Sequence, residues 1–290
     1  MALVLQDLPV KDFEVIVVDD GSRDKTKHFL SGFVVKHENF RFFSQKNKGQ
    51  GIARNLGTTK AKGNIIVFIG DDIIVKKNFL SQHLRFHLRY AGENSAVLGL
   101  TSWHPRLEIT PFMKWLTNGS SVLGRFGGHQ FAYEKLTNKK MADYNFFYTS
   151  NISLKRSLMN KFPFDPKFSG YGWEDIELGY RLHKDAQMKL YYNAFAVGFH
   201  FHKMTEDGLA ERMRSIGSAV WIIHEKYPEL KKVPSFHKRL IFRLISNPLM
   251  IALLRLIRTV TQGRVTGFYY YALSKKYFLE GLYNKRMTSH

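Results

Sequence analysis

The chain of 290 residues has no cysteine. Disulfides and thiolate metal sites are therefore excluded, and a reducing compartment is compatible with the composition. Proline is scarce, at 8 residues against 22 glycines, and no internal repeat is present. The stretch Met1 to Asp7 has neither the basic region nor the apolar core of a secretory signal. Acidic side chains are few: 24 against 44 Lys and Arg, for a formal net charge of +20. Such a surplus points to an anionic partner, whether nucleic acid, a membrane surface or a phosphorylated substrate. It is concentrated at the end of the chain, where Lys231 to His290 hold twelve basic residues and one acid, Glu280. A boundary is expected near Pro228 to Pro234, dividing 1–230 from 231–290.

What is present begins with Gly63 to Asp72. Five apolar residues, Ile65 to Ile69, run unbroken and end in Gly70, Asp71 and Asp72. A continuous run rich in β-branched and aromatic residues reads as a strand buried on both faces, as in a parallel sheet. Ligands of open α/β sheets sit beyond the carboxyl ends of the strands. Two adjacent carboxylates repel unless a cation or donors compensate, and hard divalent ions prefer such oxygen ligands. A strand end followed by a solvated turn is the alternative. Phe13 to Val18 is a second such run, ending in Asp19, Asp20, Gly21 and Ser22.

Helices are expected over Lys25 to Gly32, from Gln50, over Asn78 to Tyr90, over Arg156 to Lys161, from Trp173 and over Glu206 to Lys226. The third of these puts Phe79, Leu80, Leu84, His87 and Leu88 on one side. Arg54 and Lys48 lie where a phosphate could approach a helix N-terminus, although Arg54 also reads as a surface charge. Trp103 to Ala142 has no clear period, as in a binding loop. Glu174 and Asp175 fall in the first turn of a helix, where the dipole favours acids in any case. Leu190 to Phe199 is a β-rich run ending in His200, Phe201 and His202.

Five motifs then stand in order: Val17 to Ser22, Ala53 to Gly57, Phe68 to Asp72, Ser150 to Ser153 and Gly172 to Glu177. Over roughly residues 1 to 230 the chain closely resembles the family 2 glycosyltransferases, which have the GT-A fold. The resemblance implies an α/β protein with a mostly parallel sheet flanked by helices, followed by a C-terminal helical extension. It also implies an inverting transfer of sugar from a nucleotide-sugar donor to a glycan or lipid-linked acceptor, with Mn²⁺ or Mg²⁺. By motif, Asp20, Arg54 and Asp71 would serve the nucleotide sugar, and Asp72 and His200 the metal. Asp175, in the Glu174–Asp175 pair, would be the general base, and Trp173 and Asn151 would line the acceptor side. Gly70 stands where many relatives carry a third acid. The first strand of the fold is not found, so a gap is expected beside Phe13 to Val18. The Gln-x-x-Arg-Trp motif of processive relatives is absent, so one transfer per encounter is expected. A nucleotide- or glycan-binding member without turnover is the alternative. A nucleic-acid partner is not expected, because no stacking platform or groove-reading motif accompanies the charge.

Asn247-Pro248 is a helix start, with Asn as cap and Pro at the first position. Leu249, Ala252, Leu253, Leu256, Ile257 and Val260 form a wide apolar face beside a stripe of Arg255, Arg258 and Gln262. This run is far short of the roughly 20 residues that span a bilayer. Residues 231–290 are expected to lie on an anionic membrane surface, at the cytoplasmic face of the cell membrane. Packing on the catalytic domain or dimerisation is the alternative.

Overall fold

The computed structural model describes residues 2–119, 133–168, 170, 172–261 and 265–287. In chain order the elements are β1 (Val15–Asp19), α1 (Thr26–Val34), β2 (Phe40–Ser44), α2 (Gln50–Lys60), β3 (Ile65–Ile69), β4 (Ile73–Val75) and α3 (Phe79–Arg89). Then come β5 (Ser95–Trp103), α4 (Pro111–Asn118), β6 (Met141–Ala142), β7 (Asn151–Lys155), α5 (Arg156–Lys161), α6 (Glu174–Ala186) and β8 (Lys189–His200). The chain closes with α7 (Asp207–Lys226), α8 (Phe236–Ile245), α9 (Pro248–Val260) and α10 (Thr266–Met287). The fold is α/β with C-terminal helices, as expected. The chain divides into two compact units. One comprises 1–105, 136–169 and 174–201, and the other 106–135, 170–173 and 202–290.

The first unit carries all the strands among the described residues. Its larger sheet has the order β3-β7-β5-β8-β4, with β6 on β8. Only β5 and β8 run parallel in it, and the other pairings are antiparallel. The expectation of a mostly parallel sheet is therefore corrected to a mixed one. Two strands bring this about in the middle and at the edge: β7 lies between β3 and β5 and runs against both, and β8 is met antiparallel by β4 and by β6. Among the described residues β1 pairs with β2 alone, in parallel, and β3 with β7 alone.

The inward face of α3 includes Phe79 and His87 as expected, but adds His83 and leaves out Leu88. Phe79, His83 and His87, spaced i, i+4 and i+8, are buried, whereas Leu88 is 73% exposed. His83 Nδ1 lies 2.8 Å from Ser153 Oγ, and His83 Nε2 lies 3.0 Å from Asn151 Oδ1. His87 Nε2 lies 2.9 Å from the same Ser153 Oγ. Asn151 Nδ2 donates to the carbonyls of Leu100 and Ala196, so its Oδ1 is an acceptor. His83 must then carry its proton on Nε2, Ser153 donates to His83 Nδ1, and His87 donates to Ser153. Burial, the larger cause for both rings, pushes each imidazole down to about 4.

The second unit is helical. Its contacts do not follow the boundary expected near residue 230, because α7 packs along α10. Two glycines permit this: a Cβ at Gly217 would collide with Phe278 O, and one at Gly281 with Arg214 O. Trp221 Nε1 donates to Leu282 O at 2.9 Å, and Arg214 pairs with Glu280 at 2.8 Å. The aperiodic stretch 103–142 contributes α4, capped by Thr110, whose Oγ1 accepts from Met113 N at 3.1 Å. Residues 120–132, part of the expected binding loop, lie outside the described residues. Asn247 caps α9 as expected, accepting from Met250 N at 2.9 Å. Gln262 of the expected polar stripe lies outside the described residues. Among those described, no single helix is long and apolar enough to cross a membrane.

Candidate active site

The turn after β3 sends the chain into β4, whose first residue, Ile73, pairs with His200 at the end of β8. Ile73 N–H donates to Gly70 O at 3.2 Å, and Phe201 N–H to Asp72 O at 2.7 Å. These backbone bonds fix Asp72 beside His200, and Asp72 Oδ2 lies 3.0 Å from His200 Nε2. His200 is buried, its ring edge-on to Trp103 with centroids 5.2 Å apart. A Cβ at Gly70 would meet Asp72 Oδ1 at 2.8 Å, so the absent side chain is what leaves room for this carboxylate. Asp71 is exposed.

Among the described residues no group of three or more His, Cys, Asp or Glu converges on one point. The Asp72–His200 pair nevertheless offers a carboxylate oxygen and an imidazole nitrogen, a donor set compatible with Mn²⁺ or Mg²⁺. Magnesium in particular is commonly bound by one or two protein ligands, with substrate phosphates and water completing the shell.

At the end of β1, Asp19 turns inward. It accepts from Ser22 N at 2.8 Å and Ser44 Oγ at 3.0 Å; the Ser22 hydroxyl first, and then these two donors, hold its carboxyl below the usual carboxylate range against the effect of burial. Asp20 accepts from Gln45 Nε2 at 2.7 Å, Lys48 N at 2.9 Å and Gly49 N at 2.8 Å. Both oxygens of Asp20 thus clamp the loop that starts α2. Gly49 enters that helix at φ 93°, which favours glycine.

On α2, Arg54 Nη2 donates to Gln50 Oε1 at 2.9 Å, and the guanidinium lies 5.6 Å from the Phe164 ring centre. Arg54 Nη1 is 3.5 Å from Asp175 Oδ1 and 3.9 Å from Glu174 Oε1. Glu174 is buried and Asp175 partly so. Thr149, a residue that the sequence reading missed, holds Asp175. Its N–H donates to Oδ2 at 3.0 Å, and its Oγ1 lies 2.8 Å from both carboxylate oxygens. The place of Thr149 in Thr-Ser-Asn, just before a strand, was the available signal.

The structure gathers Arg54, Glu174 and Asp175, and separately Asp72 and His200. It does not present Asn151, which is 0% exposed and whose amide is occupied by His83, Leu100 O and Ala196 O. The expectation that Asn151 lines an acceptor is corrected: a buried amide with these partners is a core residue. Trp173 belongs to the helical unit, has φ 73°, and donates through Nε1 to Ile216 O at 3.0 Å. Ser169 and Tyr171 of the surrounding motif lie outside the described residues.

Residues 2–157 match the family described as Glycosyl transferase family 2, and the chain belongs to that family. Among curated proteins it is 28% identical over 211 residues to an uncharacterized glycosyltransferase, YfnE, of Bacillus subtilis (strain 168), covering 60% of this chain and 53% of that one. It is 24% identical to a chondroitin synthase of Escherichia coli, over 79% of this chain and 36% of that one. It is 26% identical to a validoxylamine A glucosyltransferase of Streptomyces hygroscopicus subsp. jinggangensis (strain 5008), over 62% and 46%. The chain thus spans about half the length of these relatives or less. Among solved structures, S. aureus TarS 1-349 in complex with UDP overlaps 97% of this chain and 86% of its own, with TM-score 0.45 and 16% identity. GalNAc-T7 with UDP, GalNAc and Mn²⁺ overlaps 100% and 54%, with TM-score 0.49 and 15% identity.

Proposed function

We propose that this chain transfers a sugar, with inversion, from a nucleotide-sugar donor to a hydroxyl of a glycan or lipid-linked acceptor, with Mn²⁺ or Mg²⁺ as cofactor. The observation that carries the reading is the Asp72–His200 pair, 3.0 Å apart at the carboxyl end of β3. Membership of the family and the names of the curated relatives support transfer chemistry.

Asp72 and His200 would hold the divalent ion, which supplies positive charge to the leaving diphosphate. Asp20 keeps the 45–49 loop shaped at the start of α2, beside the nucleotide in this reading, and Asp71 is exposed for ribose or phosphate contact. Asp175 accepts the acceptor's proton as its hydroxyl oxygen bonds to the anomeric carbon. The bond from that carbon to the diphosphate breaks on the opposite face, and the nucleoside diphosphate leaves. Arg54 starts 3.5 Å from Asp175. Drawn toward the diphosphate, it neutralises charge there and frees the carboxylate to act as base. Thr149 keeps Asp175 oriented through this exchange, and Glu174 lies 3.9 Å from the same Arg54 Nη1. The acceptor is lipid-linked or a growing glycan, met at the cytoplasmic face of the cell membrane.

A screen of UDP-, GDP- and dTDP-sugars with Mn²⁺, reading nucleoside diphosphate release, tests the reading. One donor should be consumed in a metal-dependent way. Binding of a donor with no consumption under any acceptor would favour a member without turnover.

A further inference from the structure

The exposed side of α8 and α9 is apolar where a helix packed on a globular core is normally polar. On α8, Phe236, Leu240, Ile241 and Leu244 are exposed, while Phe242 is buried. On α9, Leu249, Leu253, Leu256 and Val260 are exposed, while Ile251 and Leu254 are buried. Exposure runs from 47% at Leu240 to 83% at Leu249. Each helix thus has an inner anchor, Phe242 in one hydrophobic cluster and Ile251 and Leu254 in another. The spacing 236, 240, 244 on α8 and 249, 253, 256, 260 on α9 puts each set on one face of its own helix.

Charge and length identify the occupant. Lys238, Arg243 and Arg255 are exposed on the same two helices, and no acid occurs between Lys231 and Leu279. A second copy docked through this face would set these cations against one another, whereas anionic headgroups would neutralise them. At 1.5 Å per residue neither the 10 residues of α8 nor the 13 of α9 spans the roughly 30 Å hydrocarbon core; together the two are long and apolar enough to do so, but a 50° bend divides them. We propose that α8 and α9 form a bent amphipathic wedge that enters one leaflet of an anionic membrane without crossing it. The inference rests on the membrane position given under Proposed function, and names the device that achieves it.

The full chain is floated with vesicles of phosphatidylcholine alone or mixed with phosphatidylglycerol, beside a Leu244→Ser/Leu249→Ser/Leu256→Ser variant. These positions are exposed, so circular dichroism and thermal midpoint should not change. The wild type should float with the mixed vesicles and be released by high salt and alkaline carbonate. The variant's partitioning should fall at least about tenfold. Donor consumption is assayed separately, so an inactive chain that floats leaves the wedge intact, while an active chain that stays at the bottom overturns it. Equal flotation on phosphatidylcholine alone, or resistance to carbonate, would also overturn it. So would a lipid-free dimer that the triple substitution dissociates.

Discussion

Asp72 Oδ2 and His200 Nε2 meet at 3.0 Å because the turn after β3 and the end of β8 are stitched together by the Ile73–His200 pairing. Neither residue has this geometry by local sequence. It follows from β4, a three-residue strand that closes the edge of the sheet.

Gly70 sets the position of that carboxylate. Gly70→Ala places a Cβ 2.8 Å from Asp72 Oδ1, too close to persist, so the Asp72 side chain must rotate. The expected outcome is a weaker metal requirement and a rise of about tenfold or more in the Mn²⁺ concentration for half-maximal activity, with the fold retained. Unchanged metal dependence in Gly70→Ala would mean that Asp72 has a second rotamer equally suited to its task.

Asp175→Asn removes the proposed base while keeping the shape of the side chain. It should leave donor binding intact and lower kcat by at least about 10²-fold. Thr149→Val should lower kcat less, and should shift the pH–rate profile, because its hydroxyl touches both oxygens of Asp175. Near wild-type turnover of Asp175→Asn would reduce Asp175 to an acid at a helix start.

The His83–Ser153–His87 network makes stability depend on acid. Both rings have folded-state values near 4 against 6.5 when unfolded. The unfolded chain therefore binds more protons in that window, and stability falls as pH drops from about 6.5 to about 4. Urea unfolding at pH 7.5 and pH 5 should differ by on the order of a few kcal/mol. His83→Gln should flatten the profile. A pH-independent midpoint across this range would contradict the buried neutral rings.

Much of this was legible in the sequence, for physical reasons that also explain the rest. The run Ile65 to Ile69 and its two terminal carboxylates were readable because strand and breaker are adjacent, but the expected burial on both faces is not met: among the described residues β3 is an edge strand in which only Phe68 is buried. The Asn247-Pro248 start of α9 was readable because capping is local. By contrast, β7 hides two polar residues, Asn151 and Ser153, whose partners His83 and His87 are supplied by a helix far away in sequence. Read locally, Asn151 looks like a ligand residue. Its burial is decided by non-local hydrogen bonds, and the same strand supplies two of the four antiparallel pairings that make the expected mostly parallel sheet a mixed one. The division into compact units also depends on non-local packing. Composition shifts near residue 230, but α7 joins α10 through the close backbone approach that Gly217 and Gly281 allow.

The most direct test of the account is calorimetric titration of the consumed donor, or of its nucleoside diphosphate, into the protein with and without Mn²⁺. Wild type should bind at least about tenfold tighter with the ion. Asp72→Ala should abolish that dependence and His200→Ala should weaken it. If Asp72→Ala keeps the full Mn²⁺ effect, the metal is held elsewhere and the pair at the end of β3 is not the centre of the site.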